Sequence, residues 1–143
     1  MEFDLDNHVI QCCARGMELE GQGKADEAGQ LFDLAWAEAS NDFERSVAAH
    51  YVARHQKNIS EKLKWDEIAL ACALQSTHAT IKTTYPSLYL NIAKCYEDLA
   101  DIDNAKKHYQ LALSYTHYLP DDGYGKMIKA GILNGIERVD AHS

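Results

Sequence analysis

His8 and Cys12 stand four residues apart, a spacing that puts an imidazole and a thiol on one face of a helix and suits two ligands of a zinc ion. A closed zinc site needs a second pair, and none joins them in the sequence. His50 and His55 are five apart, which turns them about 140° away from each other on a helix and prevents joint chelation. Gly123-Tyr124-Gly125-Lys126 has the residue types of a phosphate cradle. It follows a loop rather than the strand a P-loop requires, and reads better as a helix start capped by Asp121 or Asp122. No nucleophile elbow is present. The carboxylate pairs Glu18/Glu20 and Asp121/Asp122 fall where helix faces and caps favour charge. These residues lead us to expect no bound metal, no cofactor and no enzymatic activity.

The totals narrow the class further. A chain of 143 residues is one domain's worth of protein, expected here as a single domain over 1–143. Its hydrophobic share of 46% supplies a core and argues against disorder. The net charge of −8 repels nucleic acid and anionic lipid, and Lys and Arg form no tract, so neither is an expected partner. No apolar run approaches the ~20 residues that span a bilayer. The opening Met1-Glu2-Phe3-Asp4-Leu5-Asp6 is acidic and lacks the pattern of an export signal, so a cytoplasmic protein is expected. In that reducing setting Cys12, Cys13, Cys72 and Cys95 read as small hydrophobes of helix faces.

Apolar periodicity predicts about seven helices. Asp6 or Asn7 caps the first, about His8 to Glu20, and Gly21-Gln22-Gly23 stops it. The next run from Ala25 to about Ala39, Phe43 to Gln56, and Glu61 to about His78. Thr77 to Tyr85, polar and β-branched, fits either the end of the fourth helix or the start of the fifth. The fifth continues to about Leu99, the sixth runs from Asp101 to near Tyr118, and the seventh from Tyr124 to about Val139.

Two of these helix pairs repeat one pattern 77 residues apart. Gly16, Ala28, Phe32 and Ala35 correspond to Ala93, Ala105, Tyr109 and Ala112. Small residues are needed where two helices cross closely, and rings fill the wedge between neighbouring hairpins. The pattern resembles the tetratricopeptide repeat family, with Leu19 standing for the usual tyrosine in the first copy, and Tyr89, Ile92, Tyr96 and Pro120 adding to the later one. Between them lies a degenerate copy in which Trp65, 33 residues after Phe32, fits the second-helix aromatic while the expected alanine falls at Glu61. That leaves the register there open by one. From Trp65 to Tyr109 is 44 residues, as in the longer-helix variety of these repeats.

The resemblance implies an all-α fold, a right-handed superhelical stack of antiparallel helix hairpins. Its repeats would lie at roughly 9–41, 42–80 and 86–119, with a closing helix over 122–139. It also implies a protein-interaction module that binds a peptide or protein segment in a concave groove lined by first helices. The groove candidates are Cys13 and Met17, then His50, Tyr51 and Arg54, then Leu90, Asn91, Lys94 and Glu97. Arg54, Asn91 and Lys94 have the chemistry to grip a carboxylate or an acidic peptide. Family members that bind chaperone tails use a clamp of Lys, Asn, Asn, Lys and Arg. The matching positions hold Cys13, Met17, Ala48 or Val47, Ser87 and Asn91, of which only Asn91 agrees, so that partner is not expected. The alternatives are a self-associating unit, a homodimer joined near Tyr115, Tyr118 and Tyr124, or a sensor of a peptide or small molecule.

Overall fold

The computed structural model describes residues 6–142. It contains seven α-helices: α1 (His8–Gly21), α2 (Ala25–Glu38), α3 (Asp42–Arg54), α4 (Ile59–Gln75), α5 (Tyr85–Asp98), α6 (Ile102–Ser114) and α7 (Gly123–Asp140). Short 3-10 turns cover Ile81–Thr84 and Thr116–Tyr118, and the described residues include no strand. The helices form antiparallel hairpins of the repeat type, grouped in two compact units that divide between His78 and Ala79.

Three helix starts share an asparagine cap. Asn7, Asn41 and Asn58 sit extended before α1, α3 and α4, and each side-chain oxygen accepts the amide three residues on. Each satisfies a donor the helix cannot use itself, worth about 1 kcal/mol. Helix ends explain where the periodicity overran. Ser76 turns extended and its hydroxyl accepts from the His78 amide, so α4 stops at Gln75. Thr77 to Ala79 belong to no helix, and the chain re-enters helix through the 3-10 turn and Pro86 in the first turn of α5. At the end of α6, Ser114 and Thr116 donate to the carbonyls of Leu111 and Leu113, and the chain tightens into a 3-10 turn before Tyr118.

In the first unit α1 buries Val9, Ile10, Cys12, Cys13, Gly16 and Leu19, and α2 lays Ala28, Phe32 and Ala35 against them. A Cβ on Gly16 would lie 2.3 Å from Phe32 Cε1, so the ring rests on bare backbone. Phe32 then stacks on Tyr51 of α3 at 5.2 Å between ring centres. The second hairpin departs from expectation at Trp65, which is only half-buried and meets Trp36 edge-on at 5.1 Å. The buried positions of α4 are Asp66, Ala69 and Ala73. Asp66 and Ala69 follow Phe32 and Ala35 by 34 residues, so the aromatic's place is held by an aspartate. Lys62, one turn back, neutralises it at 2.7 Å.

In the second unit Ala93, Ala105, Tyr109 and Ala112 are fully buried, and α7 closes over them with Ile128, Ile132, Gly135 and Val139. Here Gly135 is the bare backbone: a Cβ on it would lie 2.2 Å from Tyr109 Cε1. The turns of the two matching hairpins are also alike. Lys24 donates to Leu19 O and Gly23 to Glu20 O, while Asp101 donates to Tyr96 O and Ala100 to Glu97 O. Both are Schellman caps, with the left-handed residue Gly23 (φ 79°) in one and Ala100 (φ 62°) in the other.

Ala100 has a Cβ where only glycine is unstrained. Ala100→Gly should raise stability by about 1 kcal/mol, and Gly135→Ala should lower it by about 1–3 kcal/mol through overpacking against Tyr109. Urea unfolding followed by circular dichroism reads both.

Candidate functional site

The side chains named as groove candidates fall into two sets, one in each unit. On α1, Cys13 is fully buried and belongs to the core, while Met17 is exposed. On α3, Tyr51 is also a core residue, spent on the Phe32 stack. Arg54 is exposed and lies 5.8 Å from the centre of the Tyr51 ring. Its guanidinium donates to Glu20 of α1 at 2.6 Å, and His55 meets the other oxygen of the same carboxylate at 2.9 Å. Glu20 therefore orients both groups at the ends of α1 and α3, a role its sequence position did not reveal.

His50 is half-buried and meets Tyr51 edge-on at 5.0 Å. Burial of its ring, reinforced by the Arg54 and Lys62 charges, pulls its pKa down to about 4. At neutral pH it is an uncharged imidazole, not part of a cationic grip.

On α5, Leu90 is half-buried against α7, where a Cβ on Gly131 would approach it to 3.3 Å. Asn91 is half-buried beside it, and Lys94 is exposed with Asp98 at 2.5 Å. Glu97 faces α7. It accepts from Tyr109 Oη at 2.6 Å and from Arg138 at 2.8 and 3.1 Å. Those Arg138 bonds hold its carboxyl below the usual range against the opposing effect of burial, and the Tyr109 hydroxyl adds to them. Glu97 is thus a tie between α5 and α7. Arg54 and Lys94 are the exposed cations of the two sets, each held by a neighbouring acid in a surface pair worth at most about 1 kcal/mol.

Two further features were not foreseen. In the first unit a cleft of about 500 Å³ is lined by Asn7, Asn41, Asp42, Phe43 and the segment Gln75 to His78. His78 stacks on Phe43 at 3.8 Å across it. In the second unit Tyr115 stacks on Tyr89 at 5.5 Å and on Tyr118 at 6.2 Å, with Tyr85 edge-on at 5.3 Å. Tyr115 and Tyr118, two of the three rings named as a possible dimer contact, therefore pack within their own unit.

The His50 environment has a pH consequence. Its folded pKa lies below the ordinary 6.5, so the unfolded chain takes up a proton that the folded one refuses. This contribution is absent above about pH 6.5 and lowers stability as pH falls toward about 4, by at most about 1.4 kcal/mol per pH unit. Urea midpoints across that window should fall less steeply for His50→Asn than for the parent.

Residues 86–116 match the tetratricopeptide repeat, and the matched segment is the α5/α6 hairpin with the turn that follows. No curated protein and no solved structure matches the chain. The chain therefore carries a tetratricopeptide repeat, built by α5 and α6 around Ala93, Ala105, Tyr109 and Ala112.

Proposed function

We propose that this chain is a protein-interaction module that binds a peptide or protein segment and has no catalysis of its own. The observation that carries this reading is the matched hairpin itself. Its small and aromatic positions are taken up by packing, while Asn91 and Lys94 lie on the more accessible side of α5. In the first unit the corresponding exposed cation is Arg54 on α3, framed by Tyr51 and the neutral His50. Cations set among amide, phenol and imidazole groups suit a carboxylate-bearing segment, with hydrogen bonds fixing its register. Among the described residues no helix is long and apolar enough to cross a membrane. Four free cysteines, three of them buried, fit a reducing cytoplasmic setting.

One observation favours a second reading. Met127 and Leu133 on α7 are 61% and 46% exposed, and exposed apolar side chains on a closing helix suit contact with a second copy of the chain.

The test is capture from native lysate with the parent and with Arg54→Glu and Lys94→Glu, followed by direct titration of the captured protein. Each reversal should weaken binding at least tenfold, because it replaces an attraction by a repulsion. Unchanged affinity in both would reject these surfaces. Light scattering over a concentration series checks the second reading, and a strict monomer removes it.

A further inference from the structure

We propose that His8, Cys12 and Glu38 form a binding site for one divalent metal ion of borderline softness, zinc in the first place, with a fourth position left open. The three side chains come from both arms of the first hairpin. His8 opens α1, Cys12 follows one turn later on the same face, and Glu38 is the last residue of α2. Antiparallel pairing of α1 and α2 returns the end of α2 to the start of α1, so a carboxylate 26 positions from Cys12 completes a set that no local spacing announces.

One donor atom from each residue lies within 4.8 Å of the other two. His8 Nε2 is 3.9 Å from Cys12 Sγ and directly contacts Glu38 Oε2. A tetrahedral zinc with bonds of about 2.0–2.3 Å separates its donors by about 3.3–3.6 Å. The sulfur–nitrogen distance is thus a few tenths of an ångström long, and the His8–Glu38 pair must open by a small rotamer change. Both of those side chains are exposed and have room to make it.

The donor set selects the ion. Calcium and magnesium take oxygen ligands throughout, whereas one sulfur, one nitrogen and one oxygen suit zinc. One thiolate and one carboxylate charge would balance a divalent ion, with the imidazole neutral. Cys12 is 7% exposed and forms the floor, with His8 and Glu38 at the rim, so the ion enters from solvent. Burial and then the Glu38 charge raise the Cys12 pKa, so the metal-free site keeps its proton on sulfur and the metal must displace it. Three protein ligands leave a position for water or for a side chain of a bound partner.

The experiment uses the full chain, reduced and stripped of metal, titrated with cobalt(II) as the probe. The expected result is a thiolate-to-cobalt charge-transfer band with tetrahedral visible bands, saturating at one ion per chain and bleached by zinc. Cys12→Ser should abolish the charge-transfer band and Cys72→Ser should leave it. Glu38→Gln and His8→Gln should each weaken cobalt binding at least tenfold while the helical circular dichroism stays that of the parent. Absence of a charge-transfer band, its survival in Cys12→Ser, or parent-like affinity in Glu38→Gln would each overturn the site.

Discussion

Everything in these hairpins depends on seating one large ring against helix backbone with no side chain beneath it. Phe32 does this on Gly16, and Tyr109 on Gly135. Each ring is fully buried, flanked on its own helix by alanines one turn before and one turn after. A buried aromatic contributes several kcal/mol through area and contact, but only if the helices approach closely enough to surround it. Glycine at the crossing point permits that approach, and alanine beside it keeps the flanks thin. The accompanying interactions refine the same contact. Phe32 extends into Tyr51, and the Tyr109 hydroxyl reaches Glu97, which Arg138 then holds.

The middle hairpin solves the problem differently. Asp66 takes the place of the ring, balanced by Lys62, and the buried hydroxyl of Ser46 donates to the Ala69 carbonyl at 2.8 Å to join α3 to α4. With Asp66 buried and Lys62 partly exposed, the attraction offsets the cost of desolvating the carboxylate and adds little net stability. The neutral His50 belongs to the same polar neighbourhood, since the Lys62 charge contributes to its lowered pKa.

An acidic chain with few cations must place them with care. Arg54 and Lys94 are exposed yet pre-oriented by Glu20 and Asp98, whereas Arg138 closes α7 onto α5 through Glu97. Arg54 thereby links α3 to α1 as Arg138 links α7 to α5, while the Lys94–Asp98 pair stays within one helix. Residue type alone does not distinguish these roles, because Glu97 and Arg54 read alike as polar groups on helix faces.

Sequence by itself determined the helices and the matched hairpins. Helix periodicity, asparagine caps and the glycine–alanine–aromatic spacing are local signals, and each acts within a few turns of chain. They reached Gly16, Phe32, Ala105 and Tyr109 correctly and missed by one residue at Trp65, where an aromatic beside the buried stripe resembled one within it. The tertiary structure alone decided which polar groups meet: Glu38 with His8, Glu20 with Arg54 and His55, Arg138 with Glu97. It also withdrew Cys13 and Tyr51 into the core and turned Leu90 toward α7. The reason is physical. Periodicity fixes the face a residue occupies on its own helix, while the neighbour it finds there depends on how two helices cross, and that is set by side chains far apart in the chain.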